Sequence, residues 1–81
     1  MKLVNNFLYQ ISDDGTEVTI ARKAILSDLA GQMLVNQQMQ GVLTRTGTWQ
    51  DLVHEGYIYT GIVFALTITE EELVAALSVT K

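Results

Sequence analysis

The first part of the chain alternates apolar and polar positions in the pattern of a β-hairpin. Residues 3–11 are predicted to form one strand, because Phe7 and Tyr9 fall on the same face at a period of two. Residues 12–16 follow with the sequence SDDGT, in which the Asp-Gly pair supplies the positive φ that a tight turn needs. Residues 17–20 are the partner strand, so the pattern predicts an N-terminal hairpin.

From residue 22 to residue 40 the apolar spacing changes to that of a helix. The apolar stripe has two adjacent rows with a spacing of four: Ile25, Leu29 and Met33, and beside them Leu26, Ala30 and Leu34. Gly31 lies within this helix and permits close approach of another helix or a strand, while Gly41 stands where a left-handed C-terminal cap belongs. The preceding strand could instead run on, so a helix start near Arg22 and a start near Ser27 are both open.

The next segment is predicted to contain a short strand, a short helix and a long strand. Residues 42–46 alternate in character and form the short strand. Thr48 can cap a helix over residues 49–55, with Asp51 in the place of the capping-box acid. Residues 57–68 are rich in aromatic and β-branched residues at both parities, which is typical of a strand with both faces covered.

Residues 69–73 carry the clearest signal in the chain, and it is a helix start. The side chain of Thr69 can accept from the backbone N–H of Glu72, whose carboxylate can reach back to Thr69. Ile68 before the cap and Leu73 within the helix form a hydrophobic staple. Three glutamates in the first turn suit the positive end of the helix dipole.

The predicted order of elements is β-β-α-β-short α-β-α. This order is typical of an α+β fold with a small, mostly antiparallel sheet and helices packed on it. At 81 residues the chain is predicted to be a single compact domain over 1–81.

Composition indicates an interface. Hydrophobic residues make up 48% of the chain and charged residues 17%, where an average domain has about 25% charged residues. A chain this small has little interior in which to bury that much apolar surface, and excess apolar surface usually marks an interaction site. We therefore expect a homodimer or higher oligomer, or a protein partner. The chain has no cysteine, so disulfides and cysteine-based zinc sites are excluded.

The charge pattern argues against direct nucleic-acid binding. The net charge is −4, and the basic residues are scattered rather than clustered. No secretory signal is recognisable, and the longest apolar stretch is shorter than the roughly 20 residues of a membrane helix. We expect a cytoplasmic location without membrane contact.

The leading hypothesis is a non-enzymatic interaction protein that binds another macromolecule, of the accessory, regulatory or inhibitor type that phages and mobile elements often encode. Trp49, Tyr57 and Tyr59 are the candidate apolar anchors. The candidate acidic residues around them are Asp51, Glu55, Glu70, Glu71 and Glu72.

Two alternatives remain open. In the first, Arg45, Thr46 and Thr48 bind a nucleotide or another anion at a helix N-terminus, within one subunit or between subunits, with an aromatic side chain stacking on the base. In the second and least favoured, His54 is a general base that Asp51 orients. No matched nucleophile, metal-ligand pattern or cofactor motif accompanies them, so we predict that the protein is not an enzyme and holds no metal or cofactor.

Overall fold

The computed structural model describes residues 1–23 and 28–79 of the chain. It shows a small α+β fold in which a mostly antiparallel six-stranded sheet carries two helices, which confirms the predicted class. The elements in chain order are β1 (Lys2–Val4), β2 (Phe7–Ile11), β3 (Glu17–Lys23), α1 (Asp28–Met39), β4 (Arg45–Trp49), β5 (Leu52–His54), β6 (Tyr57–Ala65) and α2 (Glu70–Ser78).

The sheet runs from β1 at one edge through β2, β3 and β6 to a second edge that β4 and β5 share. Both β4 and β5 pair with β6: β5 with its first residues and β4 with residues further along. Every strand pair that the structure describes is antiparallel. Each of the two edges borders a candidate interaction surface.

The N-terminal strand is divided, so the single strand predicted over 3–11 is wrong. Asn5 and Asn6 have φ angles of 48° and 71° and form a two-residue turn between β1 and β2. Asn tolerates this left-handed conformation better than most residues, and two successive positive φ angles give the type I′ hairpin turn. The Asp-Gly hairpin that follows is confirmed, with Gly15 at φ 74° between β2 and β3.

The first helix begins later than one of the two predicted starts. Arg22 and Lys23 pair with β6 as the last residues of β3, which overturns a helix start near Arg22. A start at Ser27 concerns residues 24–27, which lie outside the described part of the chain. At the other end the helix stops at Met39, and Gly41 has the predicted left-handed conformation with φ 80°.

The predicted short helix over 49–55 is also wrong. Trp49 ends β4, β5 follows after Gln50 and Asp51, and Glu55 and Gly56 form a second type I′ turn with φ angles of 52° and 82°. The turn closes a hairpin in which Leu52 lies opposite Tyr59, so hydrogen bonds to β6 replace those of a helix. The observed order is therefore β-β-β-α-β-β-β-α.

Both helices belong to the main core, and the sheet face that contributes to that core is called the helix face below. The buried residues of this core are Phe7, Tyr9, Val18, Ile20, Val35, Met39, Leu43, Ile62, Phe64, Leu73 and Leu77. A second buried cluster contains residues of the opposite sheet face: Leu8, Ala21, Leu52 and Tyr59. Neither helix that the structure describes is long and apolar enough to cross a membrane.

The predicted apolar stripe of α1 does not all face the sheet. A Cβ at Gly31 would lie 3.4 Å from the Thr60 Cβ, so the missing side chain lets the helix lie close to β6, as expected for this glycine. Val35 and Met39 share this inward side and are fully buried. Leu29 and Met33, by contrast, are 66% and 62% exposed on the outer side of the helix.

Candidate functional site

The three predicted aromatic anchors do not form one surface. Trp49 is 56% exposed and lies opposite Ile62, which places it on the helix face. Tyr57 is similarly exposed but lies on the opposite face, where the Lys23 ammonium is 3.4 Å from the centre of its ring. Tyr59 is buried in the second cluster, so we no longer expect it to anchor a partner.

The predicted acidic residues are also divided, between the two edges of the sheet. Asp51 and Glu55 are exposed beside β5, and Glu55 Oε1 is 3.9 Å from Nε2 of His54. Glu70 and Glu71 are exposed in the first turn of α2, near the β1 edge. The structure therefore does not surround Trp49 with a single ring of acids.

Glu70 joins α2 to the first two strands. One of its carboxylate oxygens accepts a hydrogen bond from the Tyr9 hydroxyl at 2.6 Å and another from the Lys2 ammonium at 3.2 Å. Burial, the hydrogen bond to Glu70 and the Glu70 charge raise the pKa of Tyr9 to about 12. The hydrogen bonds from Tyr9 and Lys2 lower the pKa of Glu70, so its carboxylate stays ionised at neutral pH.

The capping box of α2 is confirmed, which gives Glu72 a structural role. The Glu72 N–H donates to the Thr69 hydroxyl at 3.1 Å, and the Thr69 N–H donates to the Glu72 carboxylate at 3.1 Å. The hydrogen bonds that the Glu72 carboxylate accepts from the Thr69 N–H and from the Thr69 hydroxyl lower the pKa of Glu72. At the other end of α2, the side-chain amide of Asn5 donates to the Leu77 carbonyl at 3.2 Å.

The residues proposed to bind an anion do not converge. Arg45, Thr46 and Thr48 lie in β4, so the helix N-terminus on which that hypothesis depended is absent. Arg45 borders a groove between α1 and β4, whereas Thr48 borders a different groove with Gln10 and Gln50. The Thr46 hydroxyl donates to the Val63 carbonyl at 3.1 Å. The anion hypothesis therefore has no structural basis in this arrangement.

His54 is likewise not on the helical face that was expected to align it with Asp51. It is in β5, and its ring packs edge-to-face on Tyr59 with centroids 6.2 Å apart. Within residues 1–23 and 28–79, no group of three or more His, Asp or Glu side chains could hold a metal ion.

The surface that the sequence reasoning missed is the outer side of α1. Positions 29–44 contain no Asp, Glu, Lys or Arg, so from Leu29 onwards this helix faces solvent with apolar and amide side chains instead of charges. Leu29 and Met33 are the exposed apolar residues on its outer side, and Gln40 is exposed beside them. The absence of charge is visible in the sequence, but the two apolar rows predict only a helix and not which of its residues are exposed.

This surface continues onto the sheet edge. The groove between α1 and β4 is bordered by Met33 on one side and Arg45 on the other. Further along the edge, Trp49, Val53 and Ile58 are 56%, 61% and 55% exposed. Ile58 has the parity of Thr60, which packs against α1, and Val53 lies opposite it, so these side chains share the helix face. We call Leu29, Met33, Trp49, Val53 and Ile58 together the uncharged face.

Comparison with known proteins identifies no relative. No protein-family model matches the chain, and no curated protein or solved structure matches it. The function is therefore argued from the chemistry of the surfaces described above.

Proposed function

We propose that the protein is a non-enzymatic interaction protein that binds another macromolecule and acts as a homodimer joined through the uncharged face. The observation that carries this proposal is the set of five large apolar side chains, each more than half exposed, beside a groove between α1 and β4 whose lining has a single charged residue, Arg45.

The composition of the uncharged face is that of an interface centre. Interface centres are depleted in Lys, Glu and Asp and enriched in Met, aromatic residues and Arg. A helix that stays in solvent normally carries charges on its outer side. The accessible surface of the protein is 4998 Å², close to the roughly 4,900 Å² expected of a 9.0 kDa monomer. The exposed apolar groups therefore reflect the choice of surface residues rather than a loose fold.

A second copy of this chain is the occupant that best fits the face. Complete burial of one such side chain contributes about 1.5–3 kcal/mol, so five that are just over half exposed contribute roughly 4–9 kcal/mol per copy. Association costs about 4–15 kcal/mol, which two matching faces can offset more easily than one face against an ordinary surface. A foreign partner selected by charge would instead be attracted to the acidic residues in the first turn of α2, near β1.

The first experiment is the solution mass over a concentration series, measured by light scattering after size exclusion. We expect the mass to rise with concentration towards twice the 9.0 kDa of the chain. Trp49 is the only tryptophan, so dilution should also shift its emission to longer wavelength as the face becomes hydrated.

A matched pair of variants assigns the self-association to this face. Met33→Lys places a charge in the middle of the face and should give a folded monomer. Leu3→Lys places the same charge on a similarly exposed residue at the opposite edge and should leave the dimer intact. A wild-type protein that stays monomeric at all concentrations, or equal dimerisation of the two variants, would contradict the proposal.

A further inference from the structure

A groove runs along the free edge of β1 and is bordered on its other side by the first turns of α2. Lys2, Leu3 and Val4 all line it. Neighbouring residues of a strand point to opposite faces, so a groove that touches all three follows the edge of the strand itself. On the α2 side the groove is lined by Glu70, Glu71 and Val74.

The backbone of Leu3 faces this groove with hydrogen-bonding groups that pair with no other backbone group within residues 1–23 and 28–79. Val4 and Phe7 flank the two-residue Asn5–Asn6 turn, and in such a hairpin the flanking pair exchanges backbone hydrogen bonds. Bonded and non-bonded pairs alternate along an antiparallel ladder, so the next pair, which contains Leu3, is non-bonded. The N–H and C=O of Leu3 therefore point away from β2, towards the groove.

We propose that this groove binds an extended peptide segment of a partner protein, which adds to β1 as a further strand. Strand addition at a sheet edge takes its affinity from backbone hydrogen bonds and its specificity from side-chain contacts on alternate positions. Here the backbone of Leu3 supplies the hydrogen bonds, and the side chains of Leu3, Val4 and Val74 supply apolar contacts. This inference rests on the partner-binding part of the proposed function and names its site, but it does not require the dimer.

The charge of the groove indicates a peptide with a basic residue. Lys2 and Glu70 form an ion pair at 3.2 Å and offset each other. Glu71 is exposed and forms no ion pair with any residue in the described ranges, so its carboxylate is the uncompensated charge on the groove wall. A lysine or arginine of the peptide complements it.

A second copy of the chain fits this groove less well than a foreign peptide. Pairing two β1 edges around Leu3 would bring together two identical acidic walls, each with its own Glu71. Like charges across an interface oppose association.

The test is selection of a random peptide library, displayed on phage, against the wild-type protein. The enriched peptides are then synthesised, and their binding is measured by fluorescence anisotropy. We expect enriched sequences in which apolar and polar residues alternate and which contain a lysine or an arginine. Failure to enrich any peptide over a selection on an unrelated protein would overturn the inference and leave the dimer untouched.

Variants then locate the bound peptides. Leu3→Pro removes the outward N–H without removing a hydrogen bond between β1 and β2, and edge strands tolerate proline. It should weaken binding roughly fivefold, the effect of one backbone hydrogen bond. Leu3→Ala keeps the N–H and should weaken binding less, which separates the backbone from the side chain.

Glu71→Lys tests the charged contact, and Met33→Lys tests whether peptide binding is independent of the uncharged face. Glu71→Lys should abolish most binding of the basic peptides and remains informative if Leu3→Pro does not fold. Met33→Lys should bind the peptides as the wild type does. Peptides that bind Leu3→Pro and Glu71→Lys as tightly as the wild type would show that the groove is not their site. Peptides that lose binding only in Met33→Lys would show the same.

Discussion

Two segments of this protein begin with the same local signal and fold differently. Thr69 and Glu72 have the spacing of a capping box, and so do Thr48 and Asp51. The first pair starts α2, whereas the second lies across the end of β4 and the connection to β5. The difference shows that a capping signal specifies a helix only when the residues after it can pack as one.

The residues that follow the two signals explain this outcome. After Thr69, Leu73 and Leu77 are spaced by one helical turn and are both fully buried against the sheet. After Thr48, a buried Leu52 is followed by an exposed Val53, which is the alternation of a strand. The tight turn at Glu55 and Gly56 then ends the segment before a second helical turn could form.

The largest expected effect is on the contact that holds the β4–β5 segment against β6. A Cβ at Gly61 would overlap the Gln50 carbonyl oxygen and lie 2.9 Å from Cγ2 of Thr19. We expect Gly61→Ala to lower the free energy of unfolding by about 2–3 kcal/mol, because the backbones must separate. Urea denaturation measures the change.

Gly31→Ala is the matched control for this prediction. A Cβ there would be in ordinary contact with Thr60, at 3.4 Å, and alanine favours a helix over glycine by about 1 kcal/mol. We expect Gly31→Ala to be neutral or stabilising. Equal destabilisation by the two substitutions would contradict the close approach of Gln50 to β6.

Contacts of this kind explain which parts of the fold were predictable. The capping box of α2 and the Asp-Gly turn are satisfied within a few residues, so both could be predicted from the sequence. The path of β4 and β5 depends on pairing with β6, in which Gln50 donates its N–H to the Gly61 carbonyl at 3.1 Å. A local sequence pattern contains no information about pairing with β6. The pattern around Thr48 therefore predicted a helix, and no local feature contradicted it.

The candidate surfaces were predictable only in composition. The excess of apolar residues correctly indicated that some would be exposed, and Trp49 is among them. Which side of α1 would face the sheet was not predictable from its two apolar rows. Gly31 decides it, because the smallest residue allows the closest approach, and this turns Leu29 and Met33 outwards.

The capping comparison itself predicts a smaller effect. Thr69→Ala should lower the free energy of unfolding by about 1 kcal/mol, because it removes the acceptor for the Glu72 N–H. Thr48→Ala, the equivalent change in β4, should remain within about 0.5 kcal/mol of the wild type, since Thr48 is an exposed strand residue. A similar loss for both would mean that Thr48 also caps a helix in solution.

The pH dependence gives this pair of variants a second readout. The pKa of Glu72 is lowered in the folded protein, so its contribution to stability is present above the ordinary glutamate pKa, about 4.3. The contribution is lost as the pH falls through the lowered value. Thr69→Ala keeps the backbone N–H but removes the hydroxyl, which donates to the Glu72 carboxylate at 3.0 Å. The difference between the wild type and Thr69→Ala should therefore shrink in acid, and a difference independent of pH would contradict the hydrogen bond from the hydroxyl.

The smallest expected effect comes from a substitution at Glu55, and its sign distinguishes a hairpin from a helix in the β4–β5 segment. Glu55 has a φ of 52°, a left-handed conformation that asparagine adopts more readily than glutamate and that the first position of a type I′ turn requires. We expect Glu55→Asn to raise the free energy of unfolding by about 0.5 kcal/mol, measured by urea denaturation. In a helix the same change would destabilise, because asparagine is a poorer helix former than glutamate. Glu55→Gln removes the charge beside His54 without the conformational preference of asparagine, so a gain seen only with asparagine comes from the turn. Because a helix and a hairpin predict opposite signs here, even this small change tests whether long-range pairing with β6 has overridden the local signal at Thr48.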